Sequence, residues 1–202
     1  MAVLLPPLAA HLAKVAARDE GRYSMAGVRV LDPGDGTYRL EATDGRRAAI
    51  LRGYNLDTTP LPELPEADPS VRAGEGVVPL ADWIDGFKMV PAARVRRPQA
   101  PLALVLRRDD VCMTTVGAQR QARLLDGRFP SIDRVLPSGP AVVSFQVNPK
   151  LLIELLQIAL AVCGDDPKVT IHFWKDGAPV GLSCMTAEHG GVFLDGLVMP
   201  LE

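Results

Sequence analysis

The spacing of apolar and polar residues predicts one unit that the chain uses three times: a strand, a helix and three further strands. In the first unit Pro6 and Pro7 open the helix, where proline is tolerated because the first N–H groups have no partner within a helix. Leu8, Leu12 and Val15 recur at helical spacing and form its predicted apolar face. The predicted elements are a strand at 2–5, a helix at 6–18 and strands at 26–31, 38–43 and 47–52.

Two more units follow in the same order. In the second unit we predict a strand at 77–78, a helix at 79–90 and strands at 102–108, 110–116 and 119–125. The third unit has the clearest helix, because Asn148 is a suitable N-cap and Pro149 a suitable first helical residue. Its predicted elements are a strand at 142–147, a helix at 149–163 and strands at 168–174, 179–186 and 190–199.

An acidic, proline-rich stretch at 53–76 separates the first two units. Its composition predicts an exposed, extended loop. Over all 202 residues, 22 Lys and Arg nearly balance 24 Asp and Glu. No overall positive field therefore indicates nucleic acid. Basic residues outnumber acidic ones in the first two units, whereas the third unit is acidic.

The remaining composition predicts a soluble, cytoplasmic protein. Hydrophobic residues make up 48% of the chain and charged residues 23%, as in globular proteins. The longest uncharged stretch is interrupted by prolines, which argues against a membrane span, and no basic segment opens a signal peptide. The three cysteines have no close spacing, which favours a reducing compartment over a disulfide framework.

Four segments resemble, in order, motifs of the bacterial sliding clamps, the β subunit of the replicative DNA polymerase. The segments are TDGRR at 43–47, LDGRFP at 125–130, NPKLL at 148–152 and VMPL at 198–201. Four motifs in the right order are a more specific signal than any one of them. Two features differ from the family's pattern: Arg46 stands where the family has histidine, and Leu201 and Glu202 replace a terminal Arg-Leu.

The resemblance implies the α+β DNA-clamp fold, with three βαβββ units forming one complete clamp domain and a half domain. Residues 1–137 would correspond to the family's middle domain and 138–202 to the second half of its last domain, as in a reduced homologue. Clamps of this family close into rings around duplex DNA. The family's rings hold twelve such units. With three units per chain, a ring of twelve would require four chains, so we expect a homodimer or a homotetrameric ring.

The resemblance also implies a pocket for partner proteins. In the family, a short linear peptide with hydrophobic anchors inserts between the middle domain and the C-terminal tail. An exposed apolar rim can accept such anchors, and neighbouring arginines can bind peptide carbonyls or carboxylates. The residues that the resemblance assigns to this pocket are Met25, Thr43, Gly45, Arg46, Arg47, Pro130, Arg134, Val135, Leu197, Met199 and Pro200.

Candidate DNA contacts lie on and near the predicted helices, which line the central hole in the family. Nonspecific binding to duplex DNA requires Lys and Arg directed at phosphates. The candidates are Lys14, Arg18, Arg22, Tyr23, Lys88, Arg94 and Lys150. Only the first helix has a plainly basic face, and charged helix faces are also typical of ordinary solvated surface.

The leading interpretation is a processivity factor that tethers DNA polymerase or repair proteins to DNA, with a clamp loader as a further candidate partner. The alternative is a non-encircling adaptor or competitor that binds clamp-binding peptides. The sequence contains no phosphate-binding loop, HExxH motif or nucleophile elbow. Its histidines and cysteines are too scattered for a metal site. We therefore predict no enzymatic activity, no cofactor and no bound metal.

Overall fold

The computed structural model divides the chain into two compact units, Met1–Leu136 and Pro137–Glu202. It describes residues 2–18, 20–54, 74–91, 102–136, 144, 146–163, 168–174, 180–185 and 193–199, except the side chains of residues 20–22, 161, 162, 185 and 193. Most of the predicted loop at 53–76 lies outside the described residues. Its two ends, 53–54 and 74–76, belong to strands, so the loop prediction was wrong there.

The described part of the first unit contains two four-stranded antiparallel sheets with helices between their strands. Its strands are β1 (Val3–Leu5), β2 (Gly27–Asp32), β3 (Thr37–Thr43), β4 (Ala48–Tyr54), β5 (Gly74–Pro79), β6 (Leu102–Leu106), β7 (Asp110–Thr115) and β8 (Ala118–Arg123). Its helices are the first 3₁₀ helix (Pro7–Lys14), the second 3₁₀ helix (Glu20–Met25), α1 (Leu80–Lys88) and the third 3₁₀ helix (Ile132–Arg134). The predicted order of strands is confirmed, with ends shifted by a few residues.

The two repeats of the first unit exchange their leading strands. One sheet has the order β1-β6-β7-β8 and the other β4-β3-β2-β5. In the first sheet Val3 lies opposite Leu104, and in the second Val28 lies opposite Val78. Each repeat therefore completes its sheet with the strand that precedes the other repeat's helix. Neither repeat can form its four-stranded sheet alone, because the fourth strand belongs to the other.

A single apolar core joins the two repeats. Val28 and Val30 of one sheet and Leu104 of the other are fully buried in the same cluster as Trp83 of α1. The indole Nε1–H of Trp83 donates to the carbonyl oxygen of Ala9 at 3.3 Å, which ties α1 to the first 3₁₀ helix. A buried indole needs such an acceptor. The two helices are thereby held side by side.

The first helix differs from the predicted α-helix at 6–18. It is a 3₁₀ helix in which residues three apart share a face. Ala9 and Leu12 form its buried face, while Leu8 shares the exposed face with His11 and Lys14. Leu8 is 55% exposed and Leu12 only 6%. The predicted apolar face that joined them was wrong, because a spacing of four residues brings side chains together only in an α-helix.

The second unit consists of α2 (Pro149–Cys163) and a three-stranded antiparallel sheet in the order β11-β10-β9. The strands are β9 (Thr170–His172), β10 (Val180–Met185) and β11 (Phe193–Val198). The carboxamide oxygen of Asn148 accepts the N–H of Lys150 at 3.0 Å, which confirms the predicted N-cap. Ala159 and Cys163 pack against Leu182 and Cys184 beneath the helix.

The predicted leading strand of the third repeat, 142–147, lies partly outside the described residues. Of its described residues, Val147 forms an isolated β-bridge, and residues 144 and 146 are in no regular element.

We predict that Leu12→Ala lowers the free energy of unfolding by about 3 kcal/mol, because it opens a cavity in the core. Leu8→Ala, the same change on the same helix, should stay within about 0.5 kcal/mol because Leu8 faces solvent. Urea unfolding followed by far-UV circular dichroism measures both values. Equal losses for the two variants would contradict the 3₁₀ geometry.

Candidate functional site

The turn between β3 and β4 contains the first of the four motifs and is fixed by its own hydrogen bonds. The carboxylate of Asp44 accepts the N–H groups of Arg46 and Arg47 at 2.9 and 3.0 Å. The hydroxyl of Thr43 donates to the carbonyl oxygen of Arg47 at 2.8 Å and accepts the N–H of Gly45 at 3.1 Å. Gly45 has φ +83°, which favours glycine. The sequence of this turn therefore determines its conformation.

The same hydrogen bonds lower the pKa of the Asp44 carboxyl. The N–H of Arg46, followed by that of Arg47, holds the pKa of the Asp44 carboxyl below its ordinary value of 3.8. Donors that bind the charged form of a carboxyl always act in this direction. The guanidinium of Arg47 also donates to Asp44 at 3.1 Å and to the carbonyl oxygen of Lys14 at 2.9 Å. Arg47 thus fastens the turn to the end of the first 3₁₀ helix.

Met25 lies close to the same helix end. Its carbonyl oxygen accepts the N–H of Ala17 at 3.1 Å, and its side chain is half-buried. The preceding residue, Ser24, packs beside Gly127, where an added Cβ would lie 3.5 Å from that of Ser24. These contacts connect the turn at 43–47, the second 3₁₀ helix and the start of the segment that follows residue 127.

Residues 129–135 alternate between anchors and exposed side chains. Phe129 and Ile132 are buried in one cluster with Val77 of β5. Between and after these anchors, the structure leaves Pro130, Arg134 and Val135 exposed, and Val135 is 76% exposed. The anchors hold the backbone from which these exposed side chains project.

A buried carboxylate beneath this segment organises two arginines. Glu41 of β3 is 1% exposed and binds Arg29 of the neighbouring strand at 2.9 Å. Arg39 also binds Glu41 and reaches Asp133 at 2.6 Å. The Arg29 guanidinium lies 5.8 Å from the centre of the Phe129 ring, within the range of a cation–π contact. The two arginines thereby link β2 and β3 to the segment at 129–135.

These supporting residues were missed by the sequence analysis. The available signal was a glutamate in the middle of a predicted strand, Glu41 between Leu40 and Ala42, with Arg29 in the preceding strand. Arg29 and Glu41 lie directly opposite each other across β2 and β3. The pairing register of these strands was needed to recognise the contact. The hydrogen bond from Arg39 also holds the pKa of Asp133 below 3.8.

The remaining pocket candidates belong to the second unit. Leu197 of β11 and Met199 directly after it are both exposed. They are two positions apart along an extended segment, which places both side chains on one face. Pro200 lies outside the described residues. The structure therefore groups the pocket candidates of each unit separately, those at 25, 43–47 and 130–135 in the first and those at 197 and 199 in the second.

The DNA candidates are exposed where their side chains are described. Lys14, Arg18, Tyr23, Lys88 and Lys150 all face solvent. The side chain of Arg22 is not described, and Arg94 lies outside the described residues.

Acidic residues on α1 are engaged by basic ones. Asp85 binds Lys88 at 2.9 Å, and Asp82 accepts two hydrogen bonds from Arg120 at 2.9 and 2.6 Å. The hydrogen bond from Lys88 holds the pKa of Asp85 below its ordinary value. The ammonium of Lys88 is therefore already paired, whereas the exposed side of the first 3₁₀ helix keeps its basic character.

No protein-family model and no curated protein matches this sequence. Solved structures match it over the whole chain. A DNA polymerase sliding clamp from Bacillus subtilis aligns with 100% of this chain and 50% of its own, at 19% identity and a TM-score of 0.72. A sliding clamp from Pseudomonas aeruginosa bound to griselimycin aligns over 100% and 51%, at 19% identity and 0.69. The fold is that of the bacterial sliding clamps.

A third clamp, the β subunit of the DNA polymerase of Streptococcus pyogenes, aligns with 100% of this chain and 50% of its own, at 15% identity and a TM-score of 0.70. The predicted α+β clamp fold is therefore confirmed, and this chain spans about half the length of the clamps that it matches.

Two further features of this clamp-fold chain concern the described residues only. None of its helices is long and apolar enough to cross a membrane. No group of three or more His, Cys, Asp or Glu side chains in the described ranges could hold a metal ion.

We predict that Asp44→Asn makes the urea midpoint less dependent on pH. The folded-state pKa of Asp44 is lowered. The stabilisation is therefore complete above 3.8, the unfolded-state value, and is lost as pH falls through the folded-state value. The variant should be less stable than the wild type at neutral pH, and the two should converge in acid.

Asp35→Asn, in the turn at the other end of β3, is a positive control for a carboxyl with a lowered pKa. The hydroxyl of Thr37 lowers the pKa of Asp35, so this variant should show the same convergence. A constant difference between Asp44→Asn and the wild type at every pH would contradict the assignment.

Proposed function

We propose that this protein is a clamp-like docking factor that tethers DNA polymerase or repair proteins to DNA by binding a linear peptide. One observation carries the proposal. Two motifs far apart in sequence, at 43–47 and 129–135, are each attached to the same sheet. The first is the turn between β3 and β4, and the second is held by Val77 of β5. Rigid support beneath exposed side chains is what a preformed docking site requires.

The chemistry of these residues suits a peptide with hydrophobic anchors. Pro130 and Val135 of the first unit and Leu197 and Met199 of the second are exposed apolar groups that can bury such anchors. The exposed guanidinium of Arg134 can bind peptide carbonyls or carboxylates. The proposal assigns no catalytic step to any residue.

The proposed role on DNA rests on the end of the first 3₁₀ helix and on the residues that follow it. Lys14 and Arg18 are exposed and Tyr23 follows them, which suits contact with phosphates and sugars. Full encirclement requires more than one chain, as a homodimer or a homotetrameric ring, and a loader to open it. We place this activity in the cytoplasm, where a reduced thiol is stable.

We predict that Pro130→Asp and Met199→Asp each weaken peptide binding by about tenfold or more, because a charge would replace an apolar contact. The probes are griselimycin, with which one clamp has been solved, and a labelled peptide with leucine and phenylalanine anchors. Isothermal titration calorimetry and fluorescence anisotropy measure the affinities.

Val116→Asp is the matched control, since Val116 is exposed in the turn between β7 and β8 and belongs to neither motif. The docking site would be refuted if Val116→Asp weakened binding as much as the other two variants. Absence of binding to either probe would refute the proposed function itself.

A non-encircling adaptor that captures clamp-binding peptides is the second candidate function. It is favoured by the pairing of Lys88 with Asp85 and of Asp82 with Arg120, which leaves α1 with no net positive charge. The two functions share the peptide site and differ in whether the protein encircles DNA.

We predict that the protein is retained on nicked circular DNA and released when the circle is linearised, because a closed ring can leave only through an end.

Lys14→Ala/Arg18→Ala should reduce the slope of log affinity against log salt concentration by about 2, since each lost phosphate contact removes about 0.9.

Arg123→Ala serves as the control for a single exposed arginine outside the proposed DNA surface. Gel filtration of the protein with each DNA form measures retention. Equal behaviour on circular and linear DNA would contradict encirclement and favour the adaptor.

A further inference from the structure

Two of the three cysteines lie together in the small core of the second unit. Cys163 is the last residue of α2, and Cys184 lies in β10. Both thiols are free and buried. They pack in one cluster with Ala159 of the helix and Leu182 of the strand. Half of the buried residues in that cluster are therefore cysteines, and they come from two different elements.

The geometry of α2 places the two sulfurs beside each other. The Sγ atom of Cys184 lies 4.0 Å from the carbonyl oxygen of Ala159. Ala159 is four residues before Cys163, and side chains four residues apart in an α-helix share a face. The Cys163 thiol donates to the carbonyl oxygen of Lys168 at 3.5 Å and is hydrogen-bonded to the Cys184 side chain. Helix and strand thus each contribute one thiol to the same point.

The third cysteine has different surroundings. Cys112 of β7 is fully buried in the first unit. Its Sγ atom lies 3.5 Å from the hydroxyl of Thr114 and accepts an amide N–H of Gln119 at 3.1 Å. Among the described residues, its polar neighbours are therefore a hydroxyl and an amide. Cys112 is a natural comparison for the pair, because it is equally apolar in its setting but has an alcohol in place of a second thiol.

The second unit has few buried residues that hold its helix on its sheet. In the described ranges, the cluster beneath α2 contains four buried residues, whereas the main cluster of the first unit contains twenty. Small units that cannot build a large core often use a covalent crosslink instead. A bond between Cys163 and Cys184 would join the end of α2 to β10, the middle strand of its sheet.

We propose that Cys163 and Cys184 form a reversible oxidation site, at which hydrogen peroxide joins the two sulfurs in a disulfide. The dithiol is the form expected in a reducing cytoplasm, and the disulfide is the form expected under oxidising stress. Neither thiol belongs to the proposed peptide or DNA surfaces, so the site is independent of the proposed function.

The reaction has two steps and consumes one peroxide. The sulfur of Cys163 attacks a peroxide oxygen and the O–O bond breaks. The departing hydroxide takes the thiol proton, which leaves water and a sulfenic acid. The sulfur of Cys184 then attacks the sulfenic sulfur, the S–S bond forms and the S–O bond breaks. The hydroxyl group leaves as water with the proton of Cys184. Two thiols lose two electrons in total, and the peroxide gains them.

Electrostatics favour this order of attack. Burial raises the pKa of the Cys184 thiol, and the hydrogen bond and charge of Cys163 raise it further. The thiolate is the nucleophile, so a thiol that keeps its proton is a poor first attacker. Cys184 is therefore suited to the second step, in which its proton completes the departing water.

A small oxidant can reach the pair more easily than it can reach Cys112. Cys163 and Cys184 are each 9% exposed, whereas Cys112 is 0% exposed. Cys163 also ends α2, and the last turn of a helix opens more readily than its middle. Both the neighbouring thiol and the access of peroxide therefore distinguish the pair from the third cysteine.

The test treats the native protein with hydrogen peroxide and measures its intact mass and its free thiols. We expect the mass of the single chain to fall by about 2 Da, because disulfide formation removes two hydrogens. Of the three thiols, only that of Cys112 should react with an alkylating reagent after denaturation. Dithiothreitol should restore all three.

Tryptic digestion locates the bond in the wild type and so does not depend on the folding of any variant. The two cysteines of the pair fall in separate peptides, 151–168 and 176–202. We expect these peptides to be joined after oxidation of the native protein. After oxidation in urea, bonds that include Cys112 should appear as well, because unfolding removes the native proximity of the pair.

Variants assign the two sulfurs separately. Cys163→Ala and Cys184→Ala should each abolish the loss of mass on oxidation. Cys112→Ala is the matched control, since it removes a buried cysteine outside the pair, and it should oxidise like the wild type.

An unchanged mass of the wild type after peroxide would overturn the proposal. So would oxygen added to single cysteines without a disulfide, a bond between two chains, or a native bond that includes Cys112. None of these measurements needs DNA or peptide, so failure of the oxidation site is distinguishable from failure of the proposed function.

Discussion

Exchange of leading strands between repeats is the constraint on which the structure depends. In the first unit β1 completes the sheet of the second repeat and β5 completes the sheet of the first. Backbone groups at a sheet edge are satisfied only by another strand or by water, so each repeat needs the other to bury its apolar strands. Val30 and Leu104 are fully buried for this reason.

The candidate docking site depends on the same exchange. Val77 of β5, a strand supplied by the second repeat, packs against Phe129 and Ile132 and so supports the segment at 129–135. Both the turn at 43–47 and this segment are thus fixed to one sheet made from two repeats. A peptide that binds there would contact segments whose backbone is already held, so little backbone entropy is lost on binding.

Charge has a structural role in this unit. The buried Glu41 would be costly alone, but Arg29 and Arg39 both bind it and continue to Glu75 and Asp133 at the surface. A buried ion that is paired and hydrogen-bonded favours one arrangement of its neighbours, because removing a partner leaves an uncompensated charge. The acidic residues of α1 are likewise paired, with Arg120 and Lys88. Net charge along the sequence was therefore a poor guide to the charge that these surfaces present.

The sequence alone determined the order of strands, the N-cap at Asn148 and the turn at 43–47, because each depends on neighbouring residues and local hydrogen bonds. The four motifs also indicated the clamp fold. Only the tertiary structure decided which strand completes which sheet, because strand pairing depends on residues far apart in the chain. It also set the 3₁₀ geometry that separates Leu8 from Leu12, and it placed Glu41 between two arginines. These features follow from packing, in which the core selects among local conformations of similar energy.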